Sequence, residues 1–199
     1  MRRVVLATGN AGKLREMRAI LDGHDLEVIA QSELGISPPP EDGDTFAANA
    51  LIKARHAAAT SGLPAIADDS GLEVDALDGR PGLKSARYAG EPADNRANNE
   101  KLLAELAGVP AARRGARYRC AMVFVRDASD PAPIIAAAAW EGRIALAPRG
   151  SGGFGYDPYF IVAGGDRTAA EMPAAEKNLV SHRGQALAAL AAEMKDVGW

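Results

Sequence analysis

Thr8-Gly9-Asn10-Ala11-Gly12-Lys13 lies between a short β-branched run, Val4 to Ala7, and a helical repeat of Leu14, Met17 and Leu21. Backbone amides at a strand-to-helix junction, with the helix N-terminus behind them, can receive an anion, and Lys13 adds a positive charge. The hexapeptide suits phosphate, and it equally suits an ordinary strand-to-helix turn. It is not a Walker A loop: two residues separate Gly9 from Gly12, and Leu14 stands where a magnesium-binding Ser or Thr is required.

Carboxylates form the second group. Glu41 follows the Pro38-Pro39-Pro40 run, and Asp68-Asp69 stand before Ser70-Gly71 at the end of a short apolar stretch. Hard divalent cations prefer carboxylate oxygens, and magnesium commonly takes one or two of them together with phosphate and water. Adjacent Asp side chains in extended chain point to opposite sides, so one can face a metal and water while the other faces support structure or a second ligand. Loop carboxylates also serve simply as solvated caps, the reading that suits Glu73 and Asp75. Lys53 and Arg87 are further cationic candidates, of types that are commonly just solvated.

Gly150-Ser151-Gly152-Gly153-Phe154-Gly155 matches G-x-G-x-x-G letter for letter, but Tyr156-Asp157-Pro158 follows it, and the proline disfavours the helix start that a dinucleotide site needs. The glycines still permit close backbone approach to a ligand, and Phe154 and Tyr156 offer aromatic faces for a base. Alternatively both rings belong to the core beside a Gly-rich turn. Glu176-Lys177-Asn178 and Ser181-His182-Arg183 form the last group. Lys177 suits phosphate, and His182 and Arg183 can donate hydrogen bonds to a carbonyl oxygen on a base, or all three can serve as caps and surface charge. A Ser-His-Asp hydrolase is disfavoured, since neither Ser70 nor Ser181 lies in G-x-S-x-G.

The elements that must hold these residues follow from periodicity and breakers. The chain opens strand, loop, helix, with a second strand at Leu26 to Ala30 and a loop through the prolines. Asp44 or Thr45 caps a helix running to about residue 60. Phe46, Ala50, Ala54 and Ala57 or Ala58 make its apolar stripe, and Asn49, Lys53 and His56 occupy another face. Strand pieces at 65–67 and 72–75 flank the acidic segment, and a capped helix spans Asp94 to Leu106. Tyr118 to Val125 and Ile134 to Trp140 suggest an antiparallel hairpin, extended by a third run at Ile144 to Ala147, and a final helix spans Ser181 to Met194. The pattern predicts an α/β protein with a mixed sheet, its single domain covering residues 1–199 as two lobes.

Composition excludes several classes. With 199 residues, 47% hydrophobic, the chain can bury a sizeable core. The 23 basic and 26 acidic side chains give a net charge of -3 without blocks of like charge, so no general nucleic-acid surface is expected. A single cysteine, Cys120, fits the reducing cytoplasm. Val4 to Ala7 is too short for a signal-peptide core, and Ile134 to Trp140 is too short to span a membrane, so a cytoplasmic protein without membrane association is expected.

In their order along the chain, TGNAGK, ADDSGLEVDAL (67–77), SARYAG (85–90), PRG with GGFGYDP (148–158), EKN and SHR resemble the inosine triphosphate pyrophosphatase family, and most closely its bacterial dITP/XTP branch. The resemblance spans nearly the whole chain. It implies an elongated mixed sheet flanked by helices, two lobes with an active-site cleft between them, and a Mg2+-dependent homodimer that hydrolyses ITP, dITP, XTP and dXTP to the monophosphate and pyrophosphate. Carried residue by residue, it implies that Thr8, Gly9, Asn10, Ala11, Gly12 and Lys13 hold triphosphate. It makes Glu41 and Asp69 metal ligands, with Asp68 an adjacent candidate, and Asp69 the proton acceptor. Lys53, Ser70, Phe154, Gly155, Tyr156, Asp157, Lys177, His182 and Arg183 contact substrate, and Arg87 is a further carry-over. The Pro38 to Pro40 run and Lys84, where relatives often carry an aromatic residue, depart from the family pattern. The rival activities are a phosphatase or pyrophosphatase of ordinary nucleotides and a nucleotide-binding regulator without turnover.

Overall fold

β1 (Arg2–Leu6) starts with two exposed arginines and ends in Val4-Val5-Leu6, all three buried, as expected of a strand end covered on both faces. It pairs in parallel with β2 (Leu26–Ala30), Leu6 opposite Ala30, and in parallel with β3 (Ala65–Val74), Leu6 opposite Ile66. The computed structural model, which describes residues 2–199, continues the sheet in the order β2-β1-β3-β4-β5-β6, with β4 spanning Gly115–Val125, β5 Ile134–Ile144 and β6 Phe160–Val162. β5 and β6 are antiparallel, so the sheet is mixed.

The helices are α1 (Ala11–Leu21), α2 (Phe46–Ser61), α3 (Asn95–Glu105), α4 (Ala174–Val180) and α5 (His182–Asp196). Alternation along the strands decides which helix packs where. Val4, Leu6 and Ile66 face Met17 and Leu21 of α1 and Ala186, Leu187, Leu190 and Met194 of α5. Val5, Ala7, Ala65 and Ala67 face the alanines 50, 54, 57 and 58 of α2. The second interface is built almost wholly from small residues, so α2 approaches the sheet closely. β1 has β2 on one side and β3 on the other, with α1 and α2 on opposite faces. That reversal of strand order is where α/β sheets open a crevice at the strands' carboxyl ends.

The chain divides into two compact units. One comprises the chain up to Asp69, Cys120–Ala138 and Arg183–Trp199; the other comprises Ser70–Arg119 and Ala139–His182. The second has its own core of Leu72, Val74, Leu102, Leu106, Tyr118, Trp140, Ile144, Tyr156 and Phe160.

Several expected boundaries are corrected. The acidic segment is not a loop between strand pieces but the middle of one ten-residue strand, β3. Ile144 closes β5, and the third strand of the second half is β6, beyond the Gly-rich loop. The expected final helix, Ser181 to Met194, is α5, and a short helix that the sequence pattern does not predict, α4, precedes it. Pro173 starts α4, and Ser181, with φ -70° and ψ 160°, breaks the helical path before α5 begins at His182.

Candidate active site

The register Leu6 to Ile66 sets Asp68 and Asp69 just past the carboxyl end of β1, level with the loop that begins at Ala7. Because β3 is extended there, the two carboxylates go to opposite faces. Asp68, on the α1 and α5 face, is paired with Lys13 Nζ at 2.9 Å and with the Arg183 guanidinium at 3.4 Å. Arg183 is itself buried and also pairs with Glu16 at 2.5 Å. Burial alone would raise the Asp68 pKa. The three cations Lys13, Arg183 and Lys53 outweigh it and hold the carboxyl far below the ordinary carboxylate range.

Asp69, on the α2 face, accepts from Lys53 Nζ at 3.0 Å and from Asn49 Nδ2 at 3.2 Å. Asn49 and Lys53 are four residues apart on one helical face, so a single element delivers both. Lys53 Nζ also meets Glu41 at 2.9 Å. Burial opposes its charge, but Asp68, Asp69 and Glu41 together raise the lysine pKa above its usual value. Asn49 Oδ1 accepts from the Gly43 amide at 2.8 Å, and His56 Nε2 lies 2.9 Å from the Ser37 carbonyl. The proline-rich loop carrying Glu41 is thus tied to α2 at both ends. Gly43 is required by the closeness of that approach, since a Cβ there would lie 2.8 Å from Ala48 Cβ and Asn49 Oδ1.

The phosphate-type loop behaves as a capped helix start. Asn10 Oδ1 accepts from the amides of Gly12 and Lys13, at 2.9 and 3.1 Å, and the Asn10 amide donates to Thr8 Oγ1. Gly9 and Ala11 complete the turn beside it.

In the second unit, the carboxylate of Asp157 is buried and accepts from Lys177 Nζ at 2.5 Å, the Phe154 amide at 2.9 Å and Tyr118 Oη at 3.1 Å. Gly153 has φ +69°, and a Cβ on it would meet Asp157 Oδ2 at 2.0 Å, so the turn needs glycine on both counts. Lys177 Nζ also sits 5.2 Å from the centre of the Phe154 ring. His182, nearly fully buried, stacks on Tyr118 with ring centres 4.6 Å apart and planes 9° from parallel; Trp140 lies 6.3 Å away.

With this geometry in place, comparison with known proteins is direct. The model of the Ham1 family matches residues 4–193. The chain belongs to the Ham1 family. A protein of Methylococcus capsulatus named dITP/XTP pyrophosphatase is 58% identical over 194 residues, covering 98% of this chain and 96% of the relative. One of the same name from Xanthomonas oryzae is 59% identical over 190 residues, covering 96% of each. The structure of a HAM1 protein from Coxiella burnetii matches with a TM-score of 0.89 at 45% identity, covering 98% of this chain and all of that one.

Within this Ham1 family chain the candidate residues fall into two sets. Thr8 to Lys13, Glu41, Lys53, Asp68, Asp69 and Arg183 lie in the first unit, and Ser70, Arg87, Phe154, Gly155, Tyr156, Asp157, Lys177 and His182 in the second. Three of these side chains have defined surroundings within their own unit. Tyr156 belongs to the core, with its hydroxyl donating 2.8 Å to the Ser85 carbonyl, and burial, reinforced by Tyr88, pushes its phenol pKa up. Arg183 engages Asp68 and Glu16. Arg87 is exposed on a short 3-10 helix and pairs with Glu91 at 3.5 Å. Ser70 lies half-buried in β3, and Gly155, with φ +62°, accepts a hydrogen bond from Asn99. Sequence reasoning missed Asn49 as a binding-loop anchor, Glu16 and Tyr118. For Asn49 the signal was available in its spacing from Lys53. No local pattern marks the other two. Among the described residues, no cluster of three or more His, Cys, Asp or Glu side chains is arranged to hold a metal by itself.

Proposed function

We propose that this Ham1 family member hydrolyses non-standard purine nucleoside triphosphates, ITP, dITP, XTP and dXTP, to the monophosphate and pyrophosphate, a house-cleaning activity that keeps deaminated purines out of DNA and RNA. The observation that carries the reading is the pair of faces on β3: Asp69 with Lys53, Glu41 and Asn49 on one, Asp68 with Lys13 and Arg183 on the other. Phosphoryl chemistry needs this mixture of anchored carboxylates and cations. The names of the similar proteins point to the same substrates.

Glu41 and Asp69 both reach the one Lys53 ammonium, so two carboxylates converge on a cation-sized space. Two carboxylates, completed by phosphate and water oxygens, are the donor set magnesium takes. When bound there, the ion neutralises charge on the phosphate oxygens. Asp68, turned to the other face and committed to Lys13 and Arg183, fits a supporting role better than a ligand role. Asp69 orients the attacking water and accepts its proton as the water oxygen bonds to the α-phosphorus and pyrophosphate leaves. Lys13, Lys53 and Lys177 offset the charge that accumulates on the phosphates, and Asn10 holds the loop that receives them.

His182 is the group for the base. Its ring can donate to a 6-oxo oxygen, where adenine presents an amino donor instead. A buried donor left unmet costs about 1 to 3 kcal/mol, or about fivefold to more than a hundredfold in discrimination. The same donor accepts GTP, so rejection of GTP requires a separate test at the purine 2-position. A homodimer in the cytoplasm remains part of the proposal; no helix among the described residues is long and apolar enough to cross a membrane.

Incubation with magnesium and, separately, ITP, XTP, GTP and ATP, followed by phosphorus NMR, tests this reading. Monophosphate and pyrophosphate from ITP and XTP alone support it. Diphosphate with phosphate, cleavage of all four, or no cleavage point to a phosphatase, a general pyrophosphatase or a regulator. Asp69→Asn is expected to lower turnover about a hundredfold or more while nucleotide still binds; near-normal turnover would remove Asp69 from its role.

A further inference from the structure

We infer that Tyr118 is a positioning residue with two separable tasks, its ring setting the plane of His182 and its hydroxyl setting Asp157 and, through it, Lys177. The inference rests on the proposed pyrophosphatase reading and extends it to a residue that no motif contains. Tyr118 lies in β4, whose alternating pattern sends its side chain into the core of the second unit.

The ring is held on several sides. It stacks on His182 at 4.6 Å and 9°, tilts against Phe160 at 4.6 Å, and has Trp140 nearly parallel at 6.4 Å. A stacked imidazole cannot tilt without losing that contact, so the direction of its ring N–H vectors is fixed by the tyrosine plane. A donor that discriminates 6-oxo from 6-amino purines must be fixed in this way, since a mobile one would turn aside at little cost.

The hydroxyl acts elsewhere. It donates to Asp157 Oδ1 at 3.1 Å, while Oδ2 of the same carboxylate takes Lys177 Nζ at 2.5 Å and the Phe154 amide at 2.9 Å. Asp157, Lys177 and His182 are all nearly fully buried, and Tyr118 is 8% exposed. A phenylalanine at 118 would supply the same platform for His182 but would leave Asp157 Oδ1 without this donor. The carboxylate would then be free to rotate about Lys177, whose ammonium is the phosphate-directed group of the second unit. One side chain therefore supports the base-directed and the phosphate-directed residues through different atoms.

Tyr118→Phe and Tyr118→Leu separate the tasks. Each variant is assayed for kcat and KM on ITP, XTP and ATP, and the His182 imidazole proton resonance is followed by NMR, assigned by its loss in His182→Gln. Tyr118→Phe is expected to lower kcat/KM on ITP and XTP by about tenfold, the loss of one charge-assisted hydrogen bond, with the ITP-to-ATP ratio and the His182 resonance unchanged. Tyr118→Leu is expected to lower that ratio about tenfold as well and to move the resonance from its ring-shielded position toward that of free imidazole. In an Asp157→Asn background, Tyr118→Phe should add little further loss.

The inference is overturned if Tyr118→Phe changes the ratio as much as Tyr118→Leu does, or if Tyr118→Leu leaves both the ratio and the resonance unchanged. A wild-type protein that hydrolyses none of the nucleotides defeats the pyrophosphatase reading instead. In that case an unshifted His182 resonance in Tyr118→Leu would overturn the platform separately.

Discussion

Asp68 and Asp69 differ by one position and by nearly everything that surrounds them. Asp69 keeps a lysine and an amide and stands near a second carboxylate, Glu41. Asp68 has no exposed surface and sits between Lys13 and the buried Arg183 guanidinium. Removing one partner from a buried ionic cluster leaves the others uncompensated, so Asp68→Ala is expected to destabilise the fold by about 3 to 5 kcal/mol, measured by urea unfolding. The pH dependence follows in sign. The folded pKa of Asp68 is depressed below its unfolded value of about 3.9. Its stabilisation is therefore complete above that value and is lost as pH falls toward the folded one. The stability gap between wild type and Asp68→Asn should be constant from pH 7 to 5 and narrow toward pH 3. A gap independent of pH would show that Asp68 acts by shape alone.

At the scale of elements, β3 presents its carboxylates by alternation, and α2 meets them because its alanine face lets it lie close to the sheet. The loop of Glu41 is fixed to α2 by the Gly43 amide on Asn49. Gly43→Ala would drive a Cβ into Ala48 and Asn49, lifting the loop from the helix. The expected outcome is a several-fold rise in the magnesium concentration needed for half-maximal turnover, with thermal unfolding little changed because the loop is exposed; an unchanged magnesium requirement would free Glu41 from the site. The same elements show what the sequence made legible. The opposite facing of Asp68 and Asp69 and the positions of α1, α2 and α3 follow from periodicity and caps: Asn10, Thr45 and Asp94 each cap the helix that follows them. The continuity of β3 does not, because Asp-Asp-Ser-Gly is unfavourable strand sequence and only pairing within the sheet overrides it. Nor does α4, whose seven residues between Pro173 and Ser181 are too few to show a helical repeat. Burial of Lys53 was hidden because spacing assigns a face without telling whether that face meets solvent or a carboxylate.

At the scale of the whole molecule, the candidate residues divide between two compact units, and the proposed function makes a prediction for each unit taken by itself. Thr8 to Lys13, Lys53 and Asp69 are chemically suited to the phosphates and the metal, and they belong to the first unit. His182, stacked on Tyr118, is suited to the base and belongs to the second, together with Lys177. Fragments of the substrate should therefore be read differently by the two. In hydrogen exchange, magnesium pyrophosphate is expected to protect the amides of residues 8–13 and 66–69 most. Inosine monophosphate is expected to protect those of residues 116–120, 153–160 and 177–182. A non-hydrolysable ITP analogue should protect both sets, and at a hundredfold excess over its dissociation constant it should stabilise the protein by about 2.7 kcal/mol. Pyrophosphate protection confined to the second unit would reverse the assignment. Equal protection of both sets by either fragment would overturn the assignment.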